Sequence, residues 1–356
     1  MICEVLQRFD PNHDVPWDVC YEWEEEIAKD LGVPLRKIIL QSSGGQTKKP
    51  SAPRKPSVSS KIIKLIKKFP GVWRLAKYTA PLLHQNINEP LSLGFVMNIG
   101  AADFMTEANC LPIFMDFWSK ANFASVMQQT KGFRIFYVTS REAYNRIKAI
   151  DSSSNVLYMP LSIADKYHSQ NFVQYRHKTL DVIQIGRKNP VLHEYMLRYS
   201  TEHKGIDYVY RDDDEGEAGS LNIYASTTRG AIGRFQSREE FIQVLSSAKV
   251  SLVSSQGIDV PRKNSLGLNF VTPRFYESAI LGCALLGRYP DNQEFRELNM
   301  SSYCPNITSY EHFCEALEHA LAQTPEELYA QNRDFIINSL TSKRAQQIQR
   351  DLEAIA

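Results

Sequence analysis

Two short segments of the chain combine cations, a helix start and a nearby glycine or carboxylate in a way suited to holding an anionic ligand. In the first, Gly186, Arg187, Lys188 and Asn189 follow an apolar run, Asp181 to Ile185, and lead into Pro190. Asn189 has the side chain of an N-cap, and Pro190 suits the first helical position, where its missing N–H leaves no bond unmade. Glycine lets the backbone come close to a ligand, and the exposed N–H groups of the helix start add to the two side-chain charges. A diphosphate fits that chemistry; a Gly-Arg-Lys turn taken alone also describes a solvated basic loop.

The second segment is Thr272, Pro273, Arg274, Phe275, Tyr276 and Glu277. Thr272 reads as an N-cap and Pro273 as the first helical residue. Arg274 and Glu277, three apart, then share one helix face. A carboxylate so placed can accept both hydroxyl hydrogens of a ribose, while Arg274 and the helix start take the phosphates. An Arg–Glu surface pair is the plainer alternative, but the run from Ser278 to Leu286 is almost wholly apolar. Gly282 is expected just past the end of the helix.

Acid–base candidates are fewer. Asp116 and Asp103 are the candidate catalytic carboxylates, with Glu107 and His84 beside them, all near predicted strand ends. Any one could take the proton of an attacking hydroxyl, and any one could equally be a cap or half of a buried pair. Ser140 is accounted for by its place in a capping turn. The run Asp212, Asp213 and Asp214 reads as a solvated turn, so no metal site is expected.

These residues must be positioned by elements. Short apolar runs at Leu93 to Ile99, Leu111 to Phe117, Phe133 to Val138 and Val156 to Pro160 read as buried strands, and a second series follows at Asp181 to Ile185, Ile206 to Tyr210, Val250 to Ser254 and Cys283 to Leu286. Helical stretches alternate with them. Asp18 to Leu31 carries Trp23, Ile27 and Leu31 on one face, and capping-box spacing occurs at Thr139 with Glu142, Ser237 with Glu240, Thr308 with Glu311 and Thr324 with Glu327. The alternation predicts an α/β chain of two Rossmann-like, doubly wound domains, whose ligands bind at the carboxyl ends of the strands. The expected division is an N-terminal acceptor-binding domain over 1–170 with a basic insertion at 41–78, a C-terminal nucleotide-binding domain over 171–335, and a last helix, 336–356, able to cross back.

With 356 residues and a net charge of +1, the chain is long enough for two cores and has no overall charge that names a partner. Charge is nonetheless uneven: between Leu31 and Asn88 there is no Asp or Glu. Within that stretch Lys64, Lys67, Lys68 and Trp73 belong to a basic, apolar-striped segment that could lie on an anionic membrane surface. A domain helix with its lysines in water is the other reading. Six cysteines without metal-finger spacing suit a reducing compartment. No signal-like or membrane-spanning apolar run is present, so a cytoplasmic protein is expected, with the inner face of the cytoplasmic membrane as a possible station.

The segment Thr-Pro-Arg-Phe-Tyr-Glu-Ser-Ala-Ile-Leu-Gly-Cys-Ala-Leu-Leu, preceded by a strand and a glycine-basic turn, resembles the C-terminal half of GT-B glycosyltransferases. Enzymes of bacterial surface-polysaccharide type with an Arg-x-x-Glu-x-x-x-x-Gly segment are similar, matched here by Arg274, Glu277 and Gly282. The likeness implies two domains facing across a cleft, a nucleotide-sugar donor and a glycan or lipid-linked acceptor; a UDP-sugar is the expected donor on grounds of frequency alone. It implies that Glu277 binds the donor ribose and that Arg187 and Lys188 hold the diphosphate, without a metal or other cofactor. The chain departs from the commonest two-glutamate pattern, since Asn269 stands where the earlier glutamate would be. Two other classes remain open: a non-catalytic module that binds membranes or nucleic acid through the basic segment, and a nucleotide-sugar epimerase of the same fold.

Overall fold

The computed structural model describes residues 1–7, 18–37, 88–98, 109–116, 133–169, 177–212, 222–255, 257–259 and 267–355. Strands β1 (Ile2–Gln7), β2 (Leu35–Lys37), β3 (Leu91–Asn98), β4 (Cys110–Asp116), β5 (Phe136–Val138) and β6 (Val156–Tyr158) form a sheet in the order β2-β1-β3-β4-β5-β6, every pair parallel. Strands β7 (Leu180–Gln184), β8 (Tyr208–Arg211), β9 (Tyr224–Ser226), β10 (Gly230–Gly233), β11 (Ala248–Ser254) and β12 (Ala284–Arg288) form the second, ordered β10-β9-β8-β7-β11-β12. Only β9, near one edge, runs against its neighbours, pairing antiparallel with both β8 and β10.

Adjacent residues of these strands point to opposite faces and both are buried. In the first sheet Val5, Phe95 and Ile113 join one core cluster while Leu6, Val96 and Phe114 join another, against Ala143 and Ile147 of α2 (Arg141–Ile150). In the second, Ile183, Val253 and Leu285 face one side, and Val182, Leu252 and Leu286 the other. A strand apolar on both faces needs helices on both, the condition that parallel sheets meet. The remaining helices are α1 (Asp18–Leu31), α3 (Lys166–Ser169), α4 (Pro190–Glu202), α5 (Arg238–Ser246), α6 (Pro273–Ile280), α7 (Gln293–Glu297), α8 (Tyr310–Ala322), α9 (Pro325–Asn338) and α10 (Thr341–Ile355). The result is the predicted pair of Rossmann-like α/β units, the architecture of the GT-B fold.

Chain ends meet. Helix α10 lies against α1, Tyr137 donates its hydroxyl to Asp351 at 3.0 Å, and Ile163 forms a parallel bridge with Leu340. The Trp23 indole N–H, buried under the first sheet, reaches the Ser162 carbonyl at 2.8 Å.

Local punctuation mostly follows the expected residues. The Thr324 box is complete, with the Thr324 hydroxyl and the Glu327 carboxylate each accepting from the other's backbone N–H. Two caps sit one residue later than the spacing suggested. Ser140, not Thr139, caps α2, because the Thr139 hydroxyl is drawn to the buried Met115 carbonyl at 2.6 Å. Ser309, not Thr308, caps α8 and accepts from the His312 N–H. At Ser237 only half of the box forms, since Glu240 accepts from the Gln236 N–H instead.

The basic segment falls outside the described residues, and Lys64, Lys67, Lys68 and Trp73 with it. Among the described residues no helix is long and apolar enough to cross a membrane.

Candidate functional site

The two helix starts singled out from their cations come together at the carboxyl ends of neighbouring strands. β7 and β11 pair directly, so the turn after β7 and the segment entering α6 emerge side by side. Gly186 has φ +79°, a left-handed conformation that favours glycine, and a Cβ placed on it would lie 3.1 Å from the Arg274 Nε. The glycine thus allows the turn to close against the arginine. Asn189 caps α4 by accepting the Leu192 N–H at 3.0 Å, with Pro190 in the first turn. Thr272 occupies the N-cap of α6 with Pro273 next, but its hydroxyl donates to the Ser254 carbonyl at 3.3 Å and caps no helical N–H. Two N-terminal dipoles and Arg187, Lys188 and Arg274 therefore share one end of the sheet. Arg187 is exposed and Lys188 half-buried, its ammonium 5.9 Å from the Tyr210 ring centre.

Glu277 has a more enclosed setting than a ribose ligand requires. Its side chain is 0% exposed, and each oxygen is held by a different guanidinium: Oε1 by Arg238 at 2.6 Å, Oε2 by Arg274. Arg238 in turn reaches Glu22 of α1 at 2.9 Å, so a line of alternating charges runs from α1 to Arg274. A ribose would reach Glu277 only once Arg274 had swung away. What Glu277 does in this arrangement is orient Arg274, whose guanidinium also lies 4.6 Å from the Phe241 ring centre. Gly282, φ +73°, ends α6 with the Cys283 N–H bonded to the Ser278 carbonyl at 2.9 Å, the hydrogen bond of a Schellman motif.

Around these residues lies a narrow crevice of about 20 Å³, lined by Gly186, Asn222, Tyr224, Arg234, Phe235 and Arg274, room for little more than one water. The Gly186 N–H points at the Tyr224 hydroxyl, 3.1 Å away, and Tyr224 stacks on Phe235 with ring centres 4.4 Å apart. A nucleotide diphosphate entering from the strand ends would have to move Arg274 or this aromatic pair.

Several participants carried no local signal in the sequence. Asp259 accepts from Asn189 at 2.8 Å and from Arg288 at 2.9 Å, joining the turn after β7 to the end of β12. Burial works to raise its pKa, but bonds from Arg288 and Asn189 outweigh that and hold the carboxyl below its ordinary range. His193, in the first turns of α4, meets the Tyr208 hydroxyl at 3.1 Å; burial, then the Lys188 charge, push its pKa down to about 4, so the ring is neutral at pH 7.

Of the acid–base candidates, Asp116 is the last residue of β4, opposite Asn98 of β3. Asp103, Glu107 and His84 lie outside the described residues, as do Asp213 and Asp214. Among the described residues, Glu26, Asp30 and Asp165 bring carboxylate oxygens within 4.8 Å of one another, close enough to share a cation. Lys29 already pairs with Glu26 at 3.0 Å, and burial followed by the Asp165 and Glu26 charges raises the pKa of Asp30.

No family model and no curated protein matches the chain. Solved structures are similar at low identity. One is the pneumococcal O-GlcNAc transferase GtfA in complex with UDP and GlcNAc: 10% identity, TM-score 0.40, over 79% of this chain and 59% of that one. This chain therefore spans only about 59% of GtfA. Another is the DNA-modifying β-glucosyltransferase, at 11% identity and TM-score 0.48, over 99% of both chains. A third is the UDP-GlcNAc 2-epimerase from Methanocaldococcus jannaschii, at 11% identity and TM-score 0.45, covering 99% of this chain and 100% of that one.

Proposed function

We propose that the chain is a glycosyltransferase that moves a sugar from a nucleotide-diphosphate donor, a UDP-sugar, to a hydroxyl of a glycan or lipid-linked acceptor. The observation that carries this reading is the convergence of two helix starts and Arg274 on the carboxyl ends of β7 and β11, with Arg274 so close to the turn that a Cβ on Gly186 would lie 3.1 Å from its Nε. Arg187, Lys188 and Arg274 would meet the charge that builds on the departing diphosphate, work a metal ion does in other sugar transfers. Asp116, at the end of β4, is the candidate to take the acceptor's proton, with Asp103 as the other. The finer assignment, to synthesis of a bacterial surface polysaccharide, rests on the Arg-x-x-Glu-x-x-x-x-Gly segment.

A thermal-shift screen with UDP, GDP, ADP and CMP tests the donor site. Millimolar UDP should raise the melting temperature by several degrees through preferential binding to the folded state. Arg274→Ala, which leaves Glu277 its bond to Arg238, should abolish most of that shift, and Arg187→Ala with Lys188→Ala should reduce it. If no nucleotide stabilises the protein, or the variants respond as the parent does, the reading fails. Incubating the protein with a UDP-sugar alone and then with hydroxyl acceptors separates transfer from epimerisation.

A further inference from the structure

A second cavity, of about 400 Å³, opens beside the end of β6, between α2, α7 and α10. Its volume is in the range of small-ligand sites, and it shares no lining residue with the crevice beside Arg274. Arg344 of α10 forms part of its wall. That side chain is 8% exposed, and its Nη2 donates to the carbonyls of Asn338 at 2.9 Å and Leu161 at 3.4 Å, while Nε has no partner. Among the described residues no carboxylate pairs with it. Arginine stays charged in proteins, and a buried cation without a counter-charge is costly. At the rim Arg141 lies 3.9 Å from the Tyr158 ring centre and is held by Glu297 at 2.7 Å. Gln347 is tied to the Tyr158 carbonyl at 2.8 Å.

We infer that this cavity binds a small oxyanion, a phosphate or carboxylate group, with Arg344 as its buried counter-ion and Arg141 as a rim contact. The proposal is independent of the donor reading. An arginine that is paired through ligand oxygens gains what the two backbone carbonyls cannot supply, a full negative charge with acceptor geometry for the remaining N–H groups. The Arg141–Glu297 pair can open without stranding a buried charge, since both side chains are partly exposed.

Calorimetric titration of the full chain with inorganic phosphate, with glycerol phosphate and with acetate, at fixed ionic strength, tests it. Saturable binding of at least one of the three is expected, unaffected by saturating UDP, weakened more than tenfold in Arg344→Met and a few-fold in Arg141→Ala. Tighter binding of glycerol phosphate than of phosphate marks an organic ester as the ligand; equal binding marks the free ion. In phosphate-free buffer Arg344→Met should be as stable to urea as the parent. Should it fail to fold, Arg344→Lys, which keeps the charge but loses the planar fork, should still weaken the anion several-fold. The inference is overturned if none of the three anions binds saturably, if binding survives both Arg344 substitutions, or if UDP displaces the anion.

Discussion

Glu277 shows how a residue's neighbours decide what its substitution does. Read as a ligand to ribose, it could be replaced by alanine at no cost to stability; placed between Arg238 and Arg274 at 0% exposure, its removal should destabilise the fold. Among the described residues, Glu277→Ala leaves Arg238 with Glu22 alone and Arg274 with no carboxylate. Breaking one side of a buried ion network costs about 3–5 kcal/mol, so the urea midpoint should fall by that equivalent; a loss under about 1 kcal/mol would show that water reaches the arginines. Gly186 is the other position where one atom matters. Gly186→Ala must hold φ at +79° and place a methyl 3.1 Å from the Arg274 Nε. The left-handed backbone costs roughly 1 kcal/mol, and the displaced guanidinium should weaken UDP-induced stabilisation beyond that cost. An unchanged UDP response in this variant would separate Arg274 from the ligand.

At the scale of elements, α4 depends on Asn189 in two ways at once: its oxygen caps Leu192 and its amide donates to Asp259. Aspartate is as good an N-cap as asparagine, yet Asn189→Asp turns the second contact into two facing carboxylates. Asn189→Ser should therefore cost about 1 kcal/mol through the lost amide bond, while Asn189→Asp should cost more, with the gap narrowing as pH falls and Asp259 protonates or as salt rises. Chemical denaturation of the two variants at two salt concentrations checks the order. Features of this kind were legible in the sequence because they are local: Asn-Pro before α4, Thr-Pro before α6 and Gly282 after it each act within a turn. β1 was not legible. Its Glu4 breaks the apolar pattern and is satisfied by Arg36 and Ser92, 32 and 88 residues away. The antiparallel edge, β9 and β10, is short and half exposed, so no buried run announces it. Arg238 was equally silent, since its partners lie 39 and 216 residues off and only folding brings them together.

At the scale of the whole molecule, the two sheets are joined by polar contacts at α2 and α7 that depend on protonation. Glu294 of α7 is buried and accepts the Arg141 N–H at 3.1 Å; around it Arg141 pairs with Glu297, Asn145 meets Gln293 at 2.7 Å, and Glu142 accepts from Asn292 at 3.0 Å. Burial raises the Glu294 pKa to about 8, with the Glu142 charge adding, although bonds from Arg141, Val271 and Tyr158 pull the other way. Unfolded, the same carboxyl titrates near 4.3. The folded state therefore holds a proton that the unfolded state has released between those two values, and stability must fall as pH rises through that window. The contribution is full below about pH 4.3 and gone above about pH 8, amounting at most to roughly 5 kcal/mol. Glu294→Gln keeps an acceptor for the Arg141 N–H and removes the titration. The difference in unfolding free energy between this variant and the parent should grow steadily in the variant's favour from pH 5 to pH 8 and then level off. A difference that stays flat over that range would mean that Glu294 ionises normally and that α2 and α7 are held together by the charges at their rim.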